Sequence, residues 1–241
     1  MKEKGRDLIP VYFPRKCGDE GGWIPPSGRR ESRMGKRIAP ALTLEDLGTG
    51  ENAAERVFAR PPEMDTPRLR LRKIHMRDAA DLYSWSQDPG VAKYVLWDAH
   101  HSIRETRSYI RYMKSLYRQG APCSWAVVER ESGKVIGTIG VMNWNPAFRS
   151  VEVGYSFGRA WWGRGYATEA LLRVMKLLFE QGGINRIEGM CDIRNPASAR
   201  VMEKCGMKKE GILRQRVYNK GEYVDVLLCA ALAGEWKYKT A

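Results

Sequence analysis

A strand-like run, a two-glycine turn and an amphipathic helical pattern follow one another without a break between Val151 and Phe179, and few folds accommodate that succession. The turn and the helix start lie in WWGRGYATEA, Trp161 to Ala170. Beyond it Leu171, Leu172, Val174, Met175, Leu178 and Phe179 recur at mixed three- and four-residue spacings, which predicts a helix with one buried face. Gly163 and Gly165 allow positive φ and a close approach of backbone to a ligand, while the first amides of a helix lack intrahelical acceptors. Such an end binds anions, phosphates above all.

Three phosphate-binding patterns compete for this turn. A Walker loop needs Gly-Lys-Ser/Thr after four spacer residues, and the stretch contains no lysine. A Rossmann fingerprint needs a small residue where Thr168 stands, near the start of a parallel sheet, whereas several strand-like runs come earlier here. The third pattern, Gln/Arg-x-x-Gly-x-Gly/Ala, is met at both small positions by Gly165 and Ala167, with Trp162 in the Gln/Arg place. A second motif follows about thirty residues on, in NPASARVMEKCGM, Asn195 to Met207. Asn195 suits an N-cap, Pro196 a first helical position and Gly206 a helix end, so local chemistry specifies a short helix. Asn195, Ser198, Glu203, Lys204, Gly206 and Met207 also fill the pattern Asn-x-x-Ser followed by Glu-Lys-x-Gly-Phe/Met.

On these two motifs the chain resembles the GNAT superfamily of N-acetyltransferases over roughly Thr66 to Trp236, and within it the branch of ribosomal-protein N-terminal acetyltransferases. The resemblance implies an α+β fold, a mixed central sheet flanked by helices, with a splayed strand pair that binds acetyl-CoA as co-substrate and no metal. It places pantetheine on the backbone of Val153, Tyr155 and Phe157, and pyrophosphate on Gly163, Arg164, Gly165, Tyr166, Ala167 and Thr168. Asn195 is expected near the pantetheine as well as at the helix cap. Glu152, in a Glu-x-Gly-Tyr pattern, is the candidate base or amine-orienting group, the alternative being an arginine partner. Met202 stands where many relatives carry an acidic tyrosine, so Ser198 is the candidate for protonating the departing thiolate, the alternative being support of the helix end.

The remaining runs suit that fold. RLRLRKI, Arg68 to Ile74, alternates as a first strand, and a helix is expected from Arg77 to Ser86. Ser102 and Glu105 form a capping-box pattern before a second helix to about Tyr117. By resemblance this helix pair and the loop Trp97 to His101 cover the acceptor site. Strands are expected at Ser124 to Glu129, Val135 to Val141, Ser150 to Phe157, Arg186 to Cys191, Lys208 to Val217 and Tyr223 to Ala230, with a loop at Asn143 to Pro146. His75, His100 and His101 lack metal-ligand spacing, and Trp144, Trp161 and Trp162 suit packing or a channel wall. Residues 1–64 are Gly/Pro-rich, charged and without period, which predicts a disordered or loosely packed extension ahead of an acetyltransferase domain at 65–238.

Composition excludes more than it selects. No run of eighteen apolar residues occurs and MKEKGRDLIPVYF has no signal-peptide core, so the reading is cytoplasmic with no membrane partner. Five cysteines without Cys-x-x-Cys spacing suggest neither a disulfide framework nor zinc. Of the net charge of +13, residues 65–241 carry +11, from 29 Lys/Arg against 18 Asp/Glu. A basic domain suits coenzyme A phosphates and a ribosome-associated acceptor, or simply a solvated surface. The acceptor is read as a protein N-terminus, with a small amine such as a polyamine, amino acid or aminoglycoside as alternative, and a non-catalytic acyl-CoA- or RNA-binding module as the reading from another class. The oligomeric state is read as monomer or homodimer.

Overall fold

The computed structural model describes residues 53–238. In chain order these form α1 (Ala53–Ala59), β1 (Met64–Asp65), β2 (Leu69–Arg72), a 3-10 turn running into α2 (Ala79–Ser86), α3 (Pro89–Ala92), α4 (Ile103–Gln119), β3 (Ser124–Glu129), β4 (Val135–Asn145), β5 (Ser150–Phe157), α5 (Tyr166–Glu180), β6 (Arg186–Asp192), α6 (Pro196–Lys204), β7 (Lys208–Asn219) and β8 (Glu222–Leu232). The strands build one sheet in the order β1-β2-β3-β4-β5-β6-β8-β7. Among the described residues its only parallel pair is β5 with β6. This is the expected mixed sheet, and helices cover both faces.

Period-two alternation distributes the strand side chains between two cores. Trp125 and Val127 of β3 face a cluster with α1, α5 and α6 that includes Leu171, Met175 and Ile187. Ala126 and Val128 face the opposite cluster, where Leu82 of α2 packs with Ile110 and Met113 of α4. In β2 the leucines Leu69 and Leu71 are fully buried and the arginines turn outward. Arg72 closes on Asp78 through two hydrogen bonds of 2.7 and 2.8 Å, tying the strand to the turn before α2.

Three expectations need correction. The extension does not stay loose to residue 64: α1 buries Ala54, Val57 and Phe58 in the first core, and Met64 opens the sheet. Two helical turns are too short for a period to emerge from the Gly/Pro-rich sequence around them; residues 1–52 lie outside the described part. The segment at Asn143 is strand rather than loop, because a bulge after Val141 shifts the register and lets Asn143, Trp144 and Asn145 pair with Glu152, Val151 and Ser150. The capping box is displaced: Glu105 accepts from the His101 amide at 2.9 Å, and the Ser102 side chain makes no cap bond.

Helix α4 presents a line of cations to water. Arg104, Arg107, Arg111, Lys114 and Arg118 are all exposed, whereas Thr106, Ile110 and Met113 are buried. At the far edge of the sheet the β7–β8 turn reaches back over the loop before α4. Lys220 Nζ donates to the carbonyls of Val95 and Trp97 at 2.8 and 3.0 Å, and Asn219 Nδ2 to Val95 at 3.3 Å. Among the described residues no helix is long and apolar enough to cross a membrane.

Candidate active site

The parallel ladder between β5 and β6 has rungs at Ser150–Arg186, Val151–Ile187 and Glu152–Glu188, and then stops. The Gly158 amide donates to Ile136 of β4 at 2.9 Å. Because backbone groups alternate along a strand, the amides of Val153, Tyr155 and Phe157 therefore face the opening gap rather than β4. One gap-facing group is already engaged, since the Trp162 indole donates to the Phe157 carbonyl at 2.7 Å. Trp162 is half exposed at 50% and stands at the mouth of the gap.

Helix α5 begins directly beyond that mouth. Gly163 and Gly165 have φ of 72° and 82°, the left-handed region in which a side chain is strained. Glu169 donates to Gly165 O at 3.0 Å, and none of the amides from Gly163 to Thr168 reaches a backbone acceptor. These amides and the positive end of the helix dipole form a cradle for an anion. Glu169 could oppose that charge, but Thr66 Oγ1 donates to it at 2.6 Å, the Arg68 amide at 2.9 Å and Arg68 Nε at 2.7 Å. Burial works against its ionisation; these bonds outweigh burial and hold its carboxyl below the usual carboxylate range. Arg68 also donates to Arg164 O at 2.9 Å, fixing the loop. Tyr166 differs from expectation in one respect: its side chain is buried and its hydroxyl donates to Glu129 at 2.5 Å, so only its amide is available to a ligand.

The second motif closes the other side of the gap. Asn195 caps α6, its Oδ1 accepting from the Ser198 amide at 3.2 Å. The Ser198 hydroxyl lies 2.9 Å from the Tyr155 hydroxyl, which also approaches the Ser198 carbonyl at 3.1 Å. Burial raises the Tyr155 phenol well above its ordinary value, with the Ser198 bond opposing the shift. Cys191, hydrogen-bonded to Ser198, is pushed up to about 11 by burial, so its thiol stays protonated at neutral pH. The Tyr155 side chain is the element that sequence reasoning missed. Its signal was the strand period: Val151, Val153 and Tyr155 share the face that packs toward α6.

Glu152 points to the opposite face, toward the side covered by α2 and α4. Its carboxyl is raised above the usual range, first by burial and then by the Glu188 carboxylate, with Arg216 opposing. Glu188 itself holds Arg186 at 2.7 Å. His100 is a packing residue, its Nδ1 lying 2.9 Å from Ser86 Oγ and 2.8 Å from Thr106 Oγ1 beside the Trp97 ring. Trp144 packs edge-on against Phe58, and Trp161 Nε1 donates to Glu129 at 3.4 Å. Among the described residues no group of His, Cys, Asp or Glu is arranged to hold a metal ion, and the four described cysteines are buried and unpaired.

Residues 68–208 match the profile of the acetyltransferase (GNAT) domain. An N-acetyltransferase of Bacillus licheniformis, p20, is 31% identical over 171 residues, covering 71% of this chain and 96% of that protein. The ribosomal protein uS5-alanine N-acetyltransferase of Escherichia coli is 24% identical over 178 residues, 72% of this chain and 92% of its own. The structure of Mycobacterium smegmatis RimJ in complex with CoA-disulfide superposes with a TM-score of 0.64 at 24% identity, covering 73% of this chain and 90% of that one.

Proposed function

The chain belongs to the GNAT acetyltransferase family, and from that membership we propose that it transfers acetyl from acetyl-CoA to the N-terminal α-amine of a protein, a ribosomal protein being the first candidate. The observation that carries the reading is the end of the β5–β6 ladder at Glu152, directly before a helix start with free amides. A pantetheine arm fits along the gap-facing backbone of Val153, Tyr155 and Phe157, and a pyrophosphate fits the amides from Gly163 to Thr168. Acetyl-CoA, when bound, supplies the activated acyl group; the chain supplies orientation and proton traffic. A cytoplasmic setting belongs to the same reading.

The amine must lose its proton before it attacks. An α-amine of pKa ~8 costs about 1.4 kcal/mol to neutralise at pH 7, and a lysine of pKa ~10.4 roughly 4.6 kcal/mol. Glu152, a half-buried carboxylate with a raised pKa, suffices for the first and is poorly matched to the second. As the C–N bond forms and the C–S bond breaks, one proton leaves nitrogen and one arrives at sulfur. Ser198, in the first turn of α6, would supply the proton to that sulfur. Tyr155 donates to the Ser198 carbonyl at 3.1 Å and its hydroxyl lies 2.9 Å from Ser198 Oγ, so it holds the serine in place. Tyr155→Phe keeps the buried ring and removes only the hydroxyl. It is expected to lower kcat about ten-fold, equivalent to about 1.4 kcal/mol of barrier, with the KM for acetyl-CoA changed less than two-fold; thiol release with varied acetyl-CoA measures both.

Thiol release from acetyl-CoA tests the whole reading, using peptides with a free N-terminal Ala or Ser, the same peptides blocked at the α-amine but carrying lysine, and small amines. Turnover confined to free N-termini is expected. Turnover with small amines alone would reassign the acceptor, and coenzyme A binding without thiol release from any pool would remove catalysis from the reading.

A further inference from the structure

The cations on the outer face of α4 make a pattern that solvation does not require. Arg104, Arg107, Arg111, Lys114 and Arg118 are spaced three, four, three and four residues apart. At 100° per residue they fall within an arc of about 80°, and at 1.5 Å per residue they run for roughly 21 Å. Successive members are i,i+3 or i,i+4 neighbours of like charge, an arrangement that weakens a helix. Arg104 stands in the first turn as well, where the dipole disfavours a cation. Among the described residues none of the five pairs with a carboxylate, and Arg111 is held only by the Ser108 hydroxyl at 2.7 Å. A mixed-charge face would serve solubility better; a line of one sign serves a linear polyanion.

We propose that this face of α4 docks the protein on the phosphate backbone of structured RNA. A lipid surface fits less well, because a membrane-lying helix inserts its apolar side, and here Ile110 and Met113 are spent on the core at 0% and 5% exposure. RNA is chosen over other polyanions because the acceptor proposed above, a ribosomal protein, sits within RNA; to that extent the inference rests on the acceptor reading. The spacing of the five cations along one line suits successive phosphates of a backbone, so the contact is chiefly electrostatic. It brings the enzyme to an RNA-rich particle and leaves selection of the amine to the pocket.

Binding to a fluorescent RNA hairpin, followed by anisotropy between 50 and 200 mM salt, tests this without turnover. Five phosphate contacts give a plot of log K against log salt with a slope of about −4. Arg107→Gln/Arg111→Gln is expected to reduce that slope by about 2 and to weaken binding at least ten-fold at 100 mM salt. Acetyl transfer to a short free peptide stays unchanged in the same variant, which shows that the fold is intact. Arg56→Gln/Arg60→Gln, which removes one exposed cation from α1 and one just beyond it, leaves RNA binding within two-fold. Equal losses in the two variants, no loss in the α4 variant, or tighter binding to duplex DNA or to anionic phosphatidylserine vesicles than to RNA would each overturn the proposal. Failure of the acceptor reading would register instead in thiol release, with RNA binding intact.

Discussion

Glu152→Gln lowers kcat/KM for acetyl transfer by about 10²- to 10³-fold, the range a positioned general base supplies. Wild-type activity falls as pH drops through the folded-state pKa of Glu152, which lies above 4.5 because burial and the neighbouring Glu188 both disfavour the charge. In the variant that limb disappears, leaving the ionisation of the amine itself, near pKa ~8. Stability moves the other way. A carboxyl raised on folding adds stability below its unfolded pKa and loses that contribution as pH rises through the folded value, so at pH 7 the ionised Glu152 is a burden. The amide removes both the charge and its repulsion from Glu188, so the variant melts at the same temperature as the wild type or higher. Thiol release from pH 5 to 9 and thermal melts at pH 7 check both. Activity within two-fold of wild type at pH 7 would remove Glu152 from the base role.

Gly165→Val raises the KM for acetyl-CoA about 10²-fold. The residue sits at φ 82°, where a β-branched side chain is a severe outlier, and a Cβ would lie 3.3 Å from Arg68 Nη2. The loop relieves this by turning, which takes the amides of Tyr166, Ala167 and Thr168 out of alignment. Losing one or two hydrogen bonds to a charged phosphate, each worth about 1.5–3 kcal/mol, gives a loss of that size. Gly165→Asn is the milder control, since asparagine tolerates the left-handed region. Calorimetric titration with coenzyme A measures the effect, and affinity within two-fold of wild type in the valine variant would move the phosphate site elsewhere.

The glycine turn and the two helix starts were legible because their chemistry is local. Gly163 and Gly165 declare a turn, Asn195 and Pro196 declare a helix start, and the helix between them follows from six apolar residues at helical spacing. Pairings between distant segments were less legible. That Tyr155 meets Ser198 is a contact over 43 positions that no local pattern encodes. Asn143 to Asn145 read as a loop because the bulge at Val141 breaks the alternation that identifies a strand. The helix at Ala53 was concealed by the composition around it, although Ala54, Val57 and Phe58 are spaced as one face.

The clasp of Lys220 and Asn219 on the loop at Val95 and Trp97 also bears on the order in which the protein becomes an enzyme. Strand β7 is synthesised before β8 but joins the sheet only through it, since β8 lies between β7 and β6. A chain leaving the ribosome therefore completes α5 well before the last hairpin can fasten on the loop ahead of α4, a contact spanning 125 positions. Such distant closures are slow. The loop ahead of α4 is therefore fastened only when nearly the whole chain has been made.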